Sequence, residues 1–321
     1  MANNKPKKSA NKSKKKDTKA TVKTEKTEAP EIKAETKRVE KVEKVEEKKV
    51  IEATKSEKTG GVKGFCKEFF AKKCDPKENI LTAFHDKKLY GALAGEVLGT
   101  MFLLMILMTL GAYQPLYIFI VILALTATFY GVSGAHLNPV ITAGMMATRR
   151  ISAIRGVLYI LAQVLGAWLG YLIASAFWNA GGQTTMLPQI GEVPSEFFWA
   201  VTLIEMIGAA MITFFYTRAL QYRRSTLTLA AIVAGGFTLT LIAVVIFSST
   251  FLGLSSSFAL NPAAALMYQI LPSGGDNIGD LLSGIALALV TYVVFPLIGG
   301  VLGAYISDLV SFAKDEKVRM D

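Results

Sequence analysis

Two stretches decide how this chain folds: Gly134-Ala135-His136-Leu137-Asn138-Pro139-Val140 and Phe258-Ala259-Leu260-Asn261-Pro262-Ala263-Ala264. Each sets Asn-Pro inside an apolar run, where a continuous membrane helix tolerates neither residue well. Proline directly after a polar residue suits the first turn of a helix. The Asn side chain caps that turn, and the N–H that proline lacks is one a first turn leaves unbonded anyway. Each stretch therefore reads as the start of a short helix within a bilayer, over 138–147 and 261–270.

Outward from these, apolar spans run over about 89–112, 115–133, 154–177, 197–220, 227–252 and 281–307. Each is long enough to cross a hydrocarbon core of about 30 Å at about 1.5 Å per residue. The Asn-Pro segments fall between spans two and three and between spans five and six, and both are too short to cross. Non-helical backbone at membrane depth is tolerated only where protein buries it or it lines a cavity. The expected fold is an all-α membrane protein of six transmembrane helices with two re-entrant half-helices.

The two halves repeat. Ala94-Gly95-Glu96-Val97-Leu98-Gly99-Thr100 resembles Leu203-Ile204-Glu205-Met206-Ile207-Gly208-Ala209. Gln163-Val164-Leu165-Gly166-Ala167-Trp168-Leu169-Gly170 resembles Pro296-Leu297-Ile298-Gly299-Gly300-Val301-Leu302-Gly303. Three spans per half, an odd number, make repeat two (197–310) enter from the side opposite to repeat one (89–178). The result is an inverted repeat whose centre is the expected solute site.

Charge is unevenly spread. Mean hydropathy is +0.40 over 321 residues, yet 26 of the 35 Lys and Arg lie in residues 1–88. The formal +10 belongs to that region and is no sign of a nucleic-acid partner. Residues 1–60, rich in Lys, Glu, Thr and Ala and lacking aromatics, read as a disordered cytoplasmic tail attracted at most to an anionic membrane face. Residues 61–88 read as an amphipathic juxtamembrane segment interrupted by Pro76, and 311–321 as a second cytoplasmic tail. No cleavable leader is apparent at the lysine-rich start. Arg149, Arg150, Arg155, Arg218, Arg223 and Arg224 alternate with loops lacking Lys or Arg (111–115, 178–196, 271–280), which places both termini in the cytoplasm of a multi-pass cell-membrane protein.

Cys66 and Cys74 have no His partners at ligand spacing, so neither a disulfide framework nor a metal site is expected. Without a phosphate loop or a nucleophile–base pair, no enzyme activity and no cofactor are expected either. An intramembrane carboxylate raises proton relay as a reading of Glu96 and Glu205. Their neighbours favour another: acceptors for the irregular backbone that leads into the half-helices.

SGAHLNPV (133–140), FALNPAA (258–264), the GE-x-LGT of span one and the AQ-x-LGA of span three together resemble the aquaporin and glycerol-facilitator family, over about residues 89–310. The resemblance implies a homotetramer with one pore per subunit. Asn138 and Asn261 would cap the half-helices and offer their NH2 groups to a passing hydroxyl or water. Pro139 and Pro262 would fix the half-helix starts beside Val140 (Ala in most relatives) and Ala263, with His136 holding the first loop. Counting from the asparagines places Ile118, Ser249, Phe258 and Ala264 at the outer constriction, with Tyr117 or Phe119 replacing Ile118 if the count shifts. Ala264 stands where relatives usually carry Arg, and Ser249 where water-selective members usually carry His. Both differences imply a wider, less polar constriction, hence passage of glycerol-like polyols with water. A mainly water-selective channel, a proton-coupled transporter and a structural membrane protein are the competing readings.

Overall fold

The computed structural model describes residues 84, 86–110, 115–181, 195–222, 225–253, 258–268 and 278–312. The expectations for 1–60, for 313–321 and for nearly all of 61–88 lie outside these residues.

The chain forms α1 (Lys87–Leu110), α2 (Pro115–Ser133), α3 (Pro139–Ala147), α4 (Ala153–Ala180), α5 (Phe198–Gln221), α6 (Thr226–Leu252), α7 (Pro262–Tyr268), α8 (Ile278–Leu289) and α9 (Phe295–Phe312). One π turn, Val290–Val294, joins α8 to α9. Among the described residues six helices are long and apolar enough to cross a membrane, α8, the π turn and α9 counting as one. The described residues contain no strand. A membrane interior permits this economy because a helix satisfies its own backbone groups.

Helix ends follow local chemistry. Ser152 accepts from the Arg155 N–H to start α4, and Ser225 from the Thr228 N–H to start α6. Gly253 closes α6 in the left-handed conformation (φ 66°), which costs glycine little.

Packing follows the repeat. α1 lies along α4 and α5 along α9, α1 meets α2 as α5 meets α6, and α2 and α6 pack across the repeat boundary. Glycine governs the closest approaches. A Cβ at Gly166 would run into the Val97 carbonyl and one at Gly170 into that of Met101; Gly299 and Gly303 stand in the same relation to Met206 and Ala210. Small residues allow this approach where lipid supplies no hydrophobic drive between helices. The half-helices cross over: α3 packs on α9 and α7 packs on α4, so each repeat supports the other's short helix.

Candidate functional site

The two short helices begin at Asn138 and Asn261, and the two starts are bonded to each other. Asn138 Oδ1 accepts from the Val140 N–H (2.9 Å), and Asn261 Oδ1 from the Ala263 (3.0 Å) and Ala264 (3.4 Å) N–H groups. The amide nitrogens reach across. Asn138 Nδ2 donates to the Leu260 carbonyl (2.9 Å), and Asn261 Nδ2 to the Leu137 carbonyl (3.1 Å). One hydrogen of each NH2 group is thereby committed to the facing loop and is not open to a passing solute. A carboxamide carries two N–H hydrogens, so each asparagine keeps one to offer. Sequence gave no access to this bond, because its partners are 122 and 124 residues apart.

The loops entering the helices are strained. Gly134 (φ 89°), Ala135 (53°), Leu137 (51°) and Leu260 (51°) lie in the left-handed region. For a residue with a Cβ this costs about 1–2 kcal/mol, and such strain persists only where surrounding contacts over-determine the backbone. Two buried carboxylates supply those contacts. Glu96 accepts from Ser133 Oγ (2.6 Å), the His136 N–H (3.0 Å), the Leu137 N–H (2.8 Å) and Gln163 Nε2 (2.7 Å). Glu205 accepts from the Ala259 N–H (2.5 Å) and the Leu260 N–H (3.0 Å).

Repeat one carries a longer chain of bonds. Gln163 also donates to Thr142 Oγ1 (2.9 Å), and His136 Nδ1 lies 3.1 Å from the same hydroxyl. The His136 ring stands edge-on to Tyr159 and Tyr216, and the Tyr216 hydroxyl donates to the Gly134 carbonyl (2.7 Å). From sequence Gln163 enters only through the AQ-x-LGA motif, with no role attached, and Thr142 and Tyr216 carry no expectation. A polar side chain within an apolar span was the available signal for the first two.

The four residues counted to the outer constriction are not gathered into one set of contacts. Ile118 is buried in a cluster with Leu103, Leu137 and Leu260, on which Phe119 and half-buried Phe258 pack; Tyr117 is exposed. Phe258 also meets a second cluster of Val201, Ala265 and Tyr292. Ala264, 3% exposed, packs with Leu104, Met108, Ala167, Ala174 and Ala263. Ser249 is exposed on α6 and donates to the Ile246 carbonyl one turn back (3.2 Å).

A polar network closes the opposite end of the half-helix α3. Arg150 forms a two-pronged pair with Asp308 of α9 (2.5 and 3.1 Å), Gln221 of α5 donates to the same carboxylate (3.3 Å), and Tyr305 donates to the Ala147 carbonyl (2.8 Å). At the mouth of α1, Asp86 meets Arg155 (3.0 Å). The Lys88 backbone N–H above all, helped by the Arg155 guanidinium and opposed by desolvation, holds the Asp86 carboxyl below its ordinary range. Among the described residues no three His, Cys, Asp or Glu side chains converge as metal ligands would.

Comparison with known proteins gives a consistent picture. The family described as "Major intrinsic protein" matches residues 83–307. The glycerol uptake facilitator protein-like 6 of Lactiplantibacillus plantarum is 28% identical over 189 residues, covering 57% of this chain and 79% of that protein. The probable aquaporin PIP2-1 of Oryza sativa is 42% identical over only 62 residues, 17% of this chain and 21% of its own length. The X-ray structure of the aquaglyceroporin from Plasmodium falciparum superposes with a TM-score of 0.52 at 18% identity, covering 71% of this chain and 100% of that one; it shows the fold.

Proposed function

The chain belongs to the major intrinsic protein family, a family of multi-pass membrane channels rather than enzymes, and from that premise we propose that it passes small uncharged solutes, glycerol-like polyols together with water, by passive diffusion. The reciprocal bonding of Asn138 and Asn261 to the facing loops carries this reading. It brings two half-helix N-termini together at the point where their loops meet. Each N-terminus is equivalent to about half a positive elementary charge. Two such ends oppose cations and protons, while a neutral hydroxylic solute can accept the remaining amide hydrogens. Glu96 and Glu205 serve as anchors for the loops, with His136, Pro139, Val140, Pro262 and Ala263 completing their support.

Solute size is set on the outer side chiefly by Phe258, which packs on the cluster of Ile118, while Ala264 acts from a separate cluster and Ser249 from the exposed face of α6. Methyl-bearing Ala264, in place of a guanidinium, leaves that region without a fixed cation and favours a carbon backbone beside Phe258. In keeping with its family, the chain assembles as a homotetramer in the cell membrane with one pore per subunit. Both termini face the cytoplasm, as the arginine distribution supports.

Stopped-flow measurement on proteoliposomes tests the proposal. Water and glycerol should both pass, with weak saturation and no response to a proton gradient. Flux that follows the gradient would replace the channel with a coupled transporter. Water without glycerol would move the assignment to a water-selective channel. No flux of either solute, with Asn261→Asp behaving like the parent, would leave a structural membrane protein.

A further inference from the structure

The two halves of the pore are held differently, and the difference starts at one residue. The Gly166–Val97 and Gly299–Met206 approaches put the helix pairs α1–α4 and α5–α9 in register. In that register Gln163 of α4 corresponds to Pro296 of α9, Tyr159 to Tyr292 and Leu158 to Thr291, while Leu93 of α1 corresponds to Thr202 of α5. Gln163 ties Glu96 to Thr142 beside α3. Pro296 has no side-chain donor, and among the described residues Glu205 receives only backbone N–H groups.

Pro296 also shapes its own helix. A proline offers no N–H to the carbonyl four residues earlier, here that of Tyr292, and its ring clashes with that carbonyl. The chain widens instead: Val290–Val294 form the π turn, and the Phe295 N–H donates to Val290 five residues back. One extra residue in a turn rotates everything upstream by about 100° relative to a regular helix. The π turn is held by a buried bond. Thr202 Oγ1 donates its one proton to the Phe198 carbonyl (2.7 Å), so in its 2.9 Å contact with Thr291 Oγ1 the donor is Thr291. Leu93 and Leu158, the counterparts in repeat one, pack instead on an apolar cluster containing Tyr159.

Tyr292, within the π turn, packs beside the outer half-helix. Tyr292, Val201 and Ala265 form one buried cluster on which Phe258 and Ala259 pack. We infer that the π turn, set by Pro296 and fastened by the Thr291–Thr202 bond, positions the second half-helix and Phe258, and thereby sets the width of the outer constriction. Thr291, Thr202, Tyr292 and Pro296 are positioning residues that act through Phe258 and α7. The inference rests on the channel reading given above.

Two substitutions pull the device in opposite directions. Thr291→Val removes the donated bond while keeping the side chain's bulk, so Tyr292 yields behind Phe258. Pro296→Gln restores a regular turn and gives Glu205 the amide donor that Glu96 already has. Against wild type in proteoliposomes, T291V should raise the glycerol-to-water permeability ratio about threefold and P296Q should lower it about threefold, within the range that remote packing changes reach. T291S, which keeps the hydroxyl, should match wild type. Amide hydrogen exchange over residues 258–268 should quicken in T291V and slow in P296Q, a readout independent of flux. Unchanged ratios and exchange in both variants, or shifts in the same direction, would overturn the inference while leaving a conducting wild type as a channel. A wild type that passes neither solute would overturn the channel reading, and the exchange data would still decide the packing claim.

Discussion

Asn138 and Asn261 each do three things with one carboxamide: the oxygen caps a helix, one hydrogen holds the opposite loop, and one hydrogen remains. Aspartate could do only the first. Asn261→Asp would leave the Leu137 carbonyl without its donor and set a negative charge where two positive dipole ends meet. Glycerol and water flux should both fall, and cation conductance should rise above that of wild type in planar bilayers. Ala264 lends itself to the reverse test. Packed against Leu104 and Ala167 on one side, it can carry a longer side chain only by extending it away from that cluster. Ala264→Arg should reduce glycerol permeability more than water permeability in stopped-flow swelling; an equal loss for every solute would remove Ala264 from the constriction. Neither outcome follows from residue type alone. Asparagine as a helix cap could be read in the sequence, but the acceptors of its NH2 could not, because Leu137 and Leu260 face each other only once both half-helices are docked.

The helices are legible in sequence to within a few residues because membrane spans depend on length and apolarity, which are local properties. Their spacing depends on glycine contacts that sequence can only suggest. A Cβ at Gly299 would collide with the Met206 carbonyl, a backbone atom that cannot swing aside, whereas a Cβ at Gly91 meets nothing within 4 Å. Gly299→Ala should therefore destabilise by about 1–3 kcal/mol, the usual range for overpacking. Gly91→Ala should leave the melting temperature in detergent near or above that of wild type. The short helix α3 is fastened at both ends, by the Asn138–Leu260 bond and by Arg150–Asp308. Asp308→Asn leaves a half-buried guanidinium without its counter-charge. A loss of about 1–3 kcal/mol is expected, below the figure for fully buried pairs because Arg150 keeps some exposure to water. Thermal unfolding checks the value, and Arg150→Gln combined with Asp308→Asn should recover part of it. The π turn was invisible from sequence: Pro296 announces a perturbed helix, but whether the chain kinks, breaks or widens depends on what packs beside it.

At the scale of the whole molecule the two repeats share one anchoring contact and differ in length and in side-chain partners. Glu96 and Asn138 are 42 positions apart and Glu205 and Asn261 are 56, yet both carboxylates hold the residue just before their asparagine. Most of the added residues of repeat two lengthen α6, which has 27 residues against 19 in α2, and the rest fall at the end of α5 and in the connection before α7. The charged N-terminal region is a separate matter. If residues 1–60 are a solvated tail, a chain lacking them should reach the same glycerol and water flux per protein as the full chain, measured in proteoliposomes of matched protein content. A changed flux would assign the tail a role at the inner mouth. What the sequence by itself determined is the membrane class, the helical fold, the six spans, the two helix starts and the family, because each rests on local chemistry: apolar length, Asn-Pro capping and recurring motifs. What only the tertiary structure decided is how the halves meet. The exchanged asparagine bonds, the Glu96–Gln163–Thr142 chain and its absence around Glu205, and the contact between the π turn and α7 all join residues far apart in the chain, and their geometry exists only when the helices are packed.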